Sequence, residues 1–257
     1  MARRLFDFAG GKIRKTQHVR KIPGNQPAGK EGLVLDWSFI EKYTPMYVQA
    51  AELTMNIALI GILLSVLIGL LCSVIQHLKI PVLRNIVGCY IELSRNTPLL
   101  VQLFFLYFGF PRLGIRLSSE LCGVVGLAFL GGSYMAEAFR SGFDSVEQSQ
   151  IESGLSIGLS RSQLIRYVVL PQAVSVSIPA FCANIIFLIK ETSVFSAVAL
   201  ADLMYVAKDL IGLYYNTNEA LLMLVVSYLV LLLPISLLSS FLERRLRHAR
   251  FGNSYSV

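Results

Sequence analysis

The chain has 257 residues, of which 54% are hydrophobic and only 15% are charged, and its mean hydropathy is +0.61. Soluble domains carry about 25% charged residues. The composition therefore excludes an ordinary soluble enzyme or binding domain and indicates an integral membrane protein. The formal net charge is +7, with Lys and Arg concentrated near the two chain ends.

The first segment, residues 1–32, is basic and contains interspersed Gly and Pro residues. This pattern is typical of a flexible, solvated arm rather than a nucleic-acid site, so no nucleic-acid partner is expected. Residues 33–250 are predicted to form the transmembrane domain, and residues 251–257 a short C-terminal tail.

Five apolar segments follow in chain order. The hydrocarbon core of a bilayer is roughly 30 Å thick and requires about 20 apolar residues per helix. Residues 53–76 and 220–242 meet this length without any charge, whereas residues 85–110, 121–136 and 178–201 contain or adjoin charged residues. Buried soluble helices are the alternative for the charged segments. The sequence predicts an all-α polytopic membrane protein with about five transmembrane helices.

The orientation follows from the distribution of Lys and Arg. Residues 243–250, ERRLRHAR, are strongly basic and should be cytoplasmic. Five spans then place the N-terminus outside and the loop of residues 141–173 in the cytoplasm. The basic N-terminal arm argues against this assignment because it would place many positive charges outside, and the sequence leaves the side of the arm open.

Sequence motifs for catalysis are missing. The chain has neither a GxxxxGK[ST] phosphate loop nor a GxSxG elbow, its four Cys are isolated, and its three His are far apart. We therefore expect no enzymatic activity, no metal site and no cofactor on this chain. If ATP is used, ATP and Mg should bind to a partner.

The loop of residues 141–173 contains a predicted helix-turn-helix. Ile151, Leu155 and Leu159 recur at four-residue spacing along one helical stripe, and Ser160 with Gln163 matches a capping box that would begin a second helix. Leu170-Pro171 is expected to end that second helix, because proline disfavours helical geometry in the residue before it.

Two glycines, Gly154 and Gly158, lie four residues apart on a neighbouring stripe of the first helix. Each costs about 1 kcal/mol relative to Ala in an exposed helix. The missing side chains are therefore expected to let another surface approach the backbone closely.

The same loop resembles the EAA loop of bacterial ABC importer permeases. Glu152-Ser153-Gly154, three residues, Gly158, nine residues and a Val-Val-Leu-Pro sequence ending in Leu170-Pro171 keep the family spacing, with Ser153 and Gly154 in place of two alanines. The likeness extends over about residues 43–247. YIELSRNTPLLVQLFFLYFGFP, SYMAEAFRSGFDSVEQSQIES and KETSVFSAV resemble the polar amino-acid branch, the histidine, glutamine and glutamate type, although Asn96 stands where that branch more often has Gly.

This resemblance implies a multi-pass subunit of a bacterial inner membrane that carries a polar amino acid. The implied partners are a cytoplasmic ATPase dimer that binds ATP and Mg, a second permease subunit, an extracytoplasmic amino-acid-binding protein and the lipid bilayer. The residues implied to contact the ATPase are Glu152, Ser153, Gly154, Gly158, Leu170 and Pro171.

Ionisable residues within the apolar segments form a second candidate group. Such residues are costly in a bilayer and usually face a cavity or a partner. They either pair between helices or contact a zwitterionic substrate, and Glu92 with Arg95, three residues apart, could pair on one helix. The candidates for the substrate pathway are Glu92, Arg95, Thr97, Glu137, Lys190, Glu191, Thr192 and Ser193. A channel or an ion-coupled transporter would also bury charges, but it would not need the EAA spacing.

Overall fold

A computed structural model describes residues 35–78 and 80–251, with side chains described as far as Arg245. Every regular element in this part of the chain is a helix. The predicted all-α polytopic fold is confirmed. The N-terminal arm of residues 1–32 and almost all of the C-terminal tail lie outside the described residues.

We number nine α-helices in chain order and name the shorter π and 3-10 turns by their residues. The α-helices are α1 (Trp37–His77), α2 (Leu83–Arg95), α3 (Leu99–Phe104), α4 (Ser119–Asp144), α5 (Gln148–Ser156), α6 (Arg161–Leu164), α7 (Leu170–Glu191), α8 (Leu203–Tyr214) and α9 (Thr217–Phe251). The π turns are Phe105–Gly109 and Ile165–Val169, and the 3-10 turns are Phe110–Leu113 and Thr192–Val198.

Four helical runs in the described residues are long and apolar enough to cross a membrane. They are α1, α4, the run Arg161–Val198 and Thr217–Arg245 within α9. The segment predicted at residues 85–110 is instead divided, because α2 ends at Arg95 and α3 begins only after Pro98. Pro98 disfavours helical geometry at Thr97, which explains the break.

The centre of the bundle is the crossing of α1 and α4. A Cβ atom added at Gly69 of α1 would lie 2.8 Å from the backbone nitrogen of Ala136 on α4. The Ser65 hydroxyl donates to the carbonyl oxygen of Gly61 at 2.7 Å and to that of Leu127 at 3.1 Å. The small residues thus let the two backbones pack closely. Such packing stabilises helix pairs in a membrane, where the hydrophobic effect does not drive helices together.

The two ends of the bundle carry different elements. At one end, the Asp36 backbone nitrogen before α1 donates to Glu219 Oε1 on α9 at 3.0 Å. At the other end, the ring of His77 lies 5.3 Å from the ring of Phe143, so α1 and α4 finish together. Helices α5 and α6 follow α4 directly and therefore belong to this second end.

Candidate functional site

Helices α5 and α6 form the helix-turn-helix that the sequence predicts. The Ser160 hydroxyl accepts a hydrogen bond from the Gln163 backbone nitrogen at 3.3 Å, and Gln163 Oε1 accepts one from the Ser160 backbone nitrogen at 2.9 Å. This reciprocal arrangement satisfies two backbone donors that a helix start otherwise leaves unpaired. The predicted capping box is confirmed, and α5 ends at Ser156 with Gly158 in the turn.

The two glycines of this loop have different roles from the one expected. A Cβ atom at Gly154 would overlap Leu164 Cδ1 on α6, and Gly154 is buried. The close approach is therefore made by the loop's own second helix, and the expectation that Gly154 offers its backbone to another protein is wrong. Gly158 has open space around it but a φ of +86°, a left-handed conformation that glycine adopts without strain. Gly158 is thus required by the turn.

The outer face of α5 remains free for a partner. Glu152 and Ser153 are exposed, and Glu152 Oε1 accepts only a long 3.4 Å hydrogen bond from Gln148 Nε2. Two apolar side chains accompany them, with Leu155 49% exposed and Ile157 78% exposed. An exposed carboxylate beside protruding apolar side chains suits a docking contact with a basic, partly apolar groove.

The end predicted for the second helix is wrong. The chain stays helical through Leu170-Pro171, passing from α6 through the π turn Ile165–Val169 into α7. Pro171 has no backbone N–H to donate, and the wider turn before it accommodates the proline within a continuous helical run. The second helix of the loop is therefore continuous with α7, and only α5 is set off from it by a turn.

Of the charged candidates for the substrate pathway, Arg95 and Glu137 come together. Arg95 Nη1 lies 3.5 Å from Glu137 Oε2, which also contacts Arg140 Nη2 at 2.6 Å. Glu92 makes no ion pair with Arg95 in the described structure. Its Oε2 instead accepts a hydrogen bond from Asn96 Nδ2 at 3.2 Å. The alternative of a pair on one helix is therefore not observed, and α2 is joined to α4 instead.

Lys190 lies elsewhere, near the centre of the bundle. Leu188, two residues earlier, contacts Gly131 at the middle of α4. Lys190 is exposed and makes no ion pair with any described residue. Its side chain lines a cleft of about 620 Å³ between α7, α8 and α9. The cleft lining also includes Met204, Tyr228, Leu232 and Ser236.

The hydroxyl candidates are largely engaged by the backbone. The Thr97 hydroxyl donates to the Leu93 carbonyl oxygen and the Thr192 hydroxyl to that of Ile189, both at 2.7 Å. Ser193 and Glu191 are half-buried beside Thr192. Each of these hydroxyls has its proton engaged by a backbone carbonyl group, and so it has no proton left to donate to a ligand. The structure thus separates the charged candidates into an Arg95–Glu137 group and a Lys190 group.

Sequence reasoning missed Asp202. Its side chain is fully buried at the start of α8, where Asp202 Oδ1 accepts from the Tyr205 backbone nitrogen at 2.9 Å. Asp202 Oδ2 has no hydrogen-bond partner among the described residues. Burial raises the pKa of Asp202 to about 6, against the opposing effect of the backbone N–H groups of Tyr205 and Met204. An Asp directly before an apolar segment is a signal for a helix N-cap, which could have identified this role of Asp202. No pattern in the sequence indicates that its side chain is buried.

Asp202→Asn is expected to stabilise the protein above neutral pH. The raised pKa means that the folded state holds this proton more tightly than the unfolded chain, so the stabilisation is present below about pH 4 and is lost as the pH rises through about 6. Asn keeps the helix cap and removes the charge. Thermal unfolding in detergent should show the variant a few degrees above wild type at about pH 7.5 and equal to it at about pH 4.5. A lower unfolding temperature at both pH values would contradict this assignment.

Comparison with known proteins identifies the family. Residues 61–248 match the family described as binding-protein-dependent transport system inner membrane component. The probable amino-acid permease protein YxeN of Bacillus subtilis (strain 168) is 32% identical over 213 residues, 82% of this chain and 95% of that protein. The glutamine transport system permease protein GlnP of Escherichia coli (strain K12) is 31% identical over 214 residues, 82% of this chain and 98% of that one.

A solved structure agrees with these matches. The crystal structure of an amino acid ABC transporter with histidines superposes with a TM-score of 0.77 at 31% identity, covering 83% of this chain and 100% of that one. The resemblance drawn from the EAA loop is confirmed, and the rival interpretation as an ion-coupled transporter or channel is not supported. ATP hydrolysis in this family belongs to a separate subunit, so the chain is not an enzyme. The chain belongs to the binding-protein-dependent transport system inner membrane components, as the multi-pass permease subunit of an ABC importer.

Proposed function

We propose that this permease forms one half of a pathway for a polar amino acid and is driven by a cytoplasmic ATPase through α5. The exposed Glu152 on α5, at the EAA position of the loop, is the observation that carries the proposal. Relatives at 31% and 34% identity are named for glutamine transport, which makes glutamine the first substrate to test.

The contacts around α5 support a mechanical role for this loop. Gln172 Nε2 on α7 donates to Gln150 Oε1 on α5. Next to this link, α4 and α7 approach so closely that a Cβ atom at Gly142 would lie 2.6 Å from the Ala173 carbonyl oxygen. A displacement of α5 by the ATPase would therefore move α4 and α7 together, because packed helices shift as rigid bodies.

That displacement would reach the membrane centre through two routes. Helix α4 carries Glu137, which holds Arg95 beside the Asn96–Pro98 break. Helix α7 carries Lys190 just before the 3-10 turn Thr192–Val198. Irregular backbone at membrane depth is tolerated where it is buried in protein or lines a cavity. We infer that Arg95 and Glu137 pair structurally and that the Lys190 cleft faces the pathway.

The proposed assembly contains two permease subunits, an ATPase dimer with ATP and Mg, and an extracytoplasmic amino-acid-binding protein. In the orientation that we propose, α5, α6 and the basic segment of residues 243–250 lie in the cytoplasm and the start of α1 lies outside. The pathway lies between the two permeases, so one copy of this chain is not sufficient for transport.

Reconstitution tests the function directly. The permease, its ATPase and its binding protein are incorporated into liposomes, and uptake of each of the twenty amino acids is measured with and without ATP. We expect uptake of at least one polar amino acid that requires both ATP and the binding protein. Uptake that follows an imposed ion gradient without ATP would overturn the proposal.

Lys190→Met is expected to raise the KM for the transported amino acid by about tenfold, because a charged donor to the substrate carboxylate is lost. The control is Lys42→Met, which removes an exposed cation from the first turns of α1, outside the cleft. Transport kinetics in the reconstituted system provide the measurement. An unchanged KM with lowered thermal stability would show that Lys190 acts only in folding.

A further inference from the structure

The cleft at Lys190 has a polar group behind its apolar wall that the transport assignment does not use. Tyr228 of α9 lines the cleft, whereas its hydroxyl is buried and has no hydrogen-bond partner among the described residues. The Thr192 hydroxyl lies near enough to interact with it: it donates to the Ile189 carbonyl oxygen and keeps lone pairs that can accept a weak hydrogen bond from Tyr228. The Tyr228 hydroxyl is also close enough to Asp202 for the Asp202 charge to act on it.

Among the described residues, Asp202 Oδ2 is buried without a hydrogen-bond partner, and the buried Tyr228 hydroxyl has no well-formed hydrogen bond and only Thr192 nearby. A buried polar group without a partner destabilises the folded state, and a charged one does so more strongly. The cap of α8 needs only Asp202 Oδ1. The other buried acid among the described residues, Glu219, accepts from the Asp36 backbone nitrogen. Asp202 Oδ2 thus has no hydrogen bond within the described fold, although the charge of Lys208 acts on the carboxylate from a distance.

Across the same cleft, Lys190 is a cation without an ion-pair partner among residues 35–78 and 80–245. The cleft therefore has an unpaired cation at its surface, while the buried Tyr228 hydroxyl and the nearby Asp202 carboxylate oxygen are closed off from it. Most of the remaining lining is aliphatic, from α7, α8 and α9. This arrangement matches the two charges of an amino-acid zwitterion, which needs an acceptor for its ammonium and a donor for its carboxylate.

We propose that Asp202 Oδ2 and the Tyr228 hydroxyl form the ammonium subsite of the transported amino acid, with Lys190 binding its carboxylate. The inference rests on the proposed function and names the residues that select the α-amino group. Asp202 Oδ2 has no solvent access in this conformation, so binding requires the Tyr228 ring to turn out of the wall. The substrate ammonium then donates the hydrogen bond that Asp202 Oδ2 lacks in the described structure.

The test measures binding to the purified permease–ATPase complex without the binding protein, so that only this site selects the ligand. Radiolabelled L-glutamine is bound in a scintillation proximity assay and displaced by two analogues. One analogue, 4-carbamoylbutanoate, lacks the α-amino group, and the other, 4-aminobutanamide, lacks the carboxylate. If L-glutamine does not bind, L-histidine with imidazolepropionate and histamine takes its place.

The variants are chosen to keep the fold. Asp202→Asn retains the helix cap, Tyr228→Phe removes only the hydroxyl, and Asp209→Asn on the exposed face of α8 is the matched control. Asp202→Asn is expected to weaken binding of the amino acid and of the carboxylate-free analogue by about 10- to 100-fold, and to leave the amino-free analogue within about twofold. Lys190→Met should show the opposite pattern, and Asp209→Asn should change neither.

The outcomes separate the two proposals. If Asp202→Asn affects both analogues equally, or leaves the affinity for the amino acid unchanged, the ammonium subsite is refuted while amino-acid transport stands. If neither amino acid binds and none of the twenty is taken up by the reconstituted wild type, the proposed function fails, and the subsite fails with it. Thermal unfolding of each variant identifies any loss of binding that follows from misfolding.

Discussion

Glu152→Lys is expected to abolish ATP-driven transport while membrane insertion and the helix bundle remain intact. Glu152 is exposed on α5, and its carboxylate has only a weak hydrogen bond to Gln148 within the chain. The fold therefore loses little when this charge is reversed. A docking surface that receives a carboxylate instead meets a like charge, which costs several kcal/mol. Transport in proteoliposomes should fall by more than about 100-fold.

The control for this variant is Glu147→Lys, the same charge change in the same loop. Glu147 is exposed just before α5, and its carboxylate accepts a hydrogen bond from the Ser149 hydroxyl at 3.2 Å. It lies outside the EAA spacing, so transport should be close to wild type. Co-purification of the ATPase gives an independent readout and should be lost only with Glu152→Lys. Wild-type transport by Glu152→Lys, or equal losses in both variants, would refute the assignment of Glu152 as the coupling carboxylate.

Gly142→Ala is expected to destabilise the helix bundle strongly. The added Cβ would overlap the Ser177 hydroxyl and lie 2.6 Å from the Ala173 backbone oxygen. The Ser177 hydroxyl donates to the Ala138 carbonyl oxygen at 3.0 Å, a buried bond that the methyl group displaces. The Ala173 backbone oxygen cannot move aside as the end of a flexible side chain can. Helices α4 and α7 must therefore move apart to accommodate the methyl group. The cost should be about 3 kcal/mol.

Gly212→Ala in α8 provides the comparison. Apart from its own helix backbone and chain neighbours, no atom of the described residues lies within 4 Å of a Cβ built there, so the methyl group adds no clash. The lower entropy of the unfolded chain should stabilise this variant by about 0.5–1 kcal/mol. Thermal unfolding in detergent should therefore shift in opposite directions for the two substitutions. If Gly142→Ala unfolds at the wild-type temperature, α4 and α7 are not held together at this position.

The apolar segments and the loop spacing show where sequence reasoning succeeds. Residues 53–76 and 220–242 lie within α1 and α9, because lipid requires a continuous apolar run with its backbone bonds satisfied internally. Ser160 and Gln163 form the predicted capping box, because both partners lie within one helical turn. Features of this kind depend on residues that are near one another along the chain.

The expectations that failed depend on what lies opposite a residue. Gly154 is covered by Leu164 of α6, and no periodicity within α5 indicates which neighbour fills the space. The helix at Pro171 continues because a wider turn of Ile165–Val169 precedes it, whereas proline in an isolated segment argues for an end. The partner of Arg95 was left open by the sequence, and the structure pairs it with Glu137 on α4 rather than with Glu92 on its own helix.

By itself, the sequence determined an all-α membrane protein, its two uncharged membrane-spanning segments and the EAA spacing that identifies an ABC permease. These follow from the apolar length that lipid demands and from local hydrogen-bonding patterns. Only the tertiary structure decided which charges pair, which glycines are covered and that Asp202 is buried behind Tyr228 without a second partner. Burial and pairing depend on packing between helices distant in the chain, and a charge on one helix has no local signal for its partner on another.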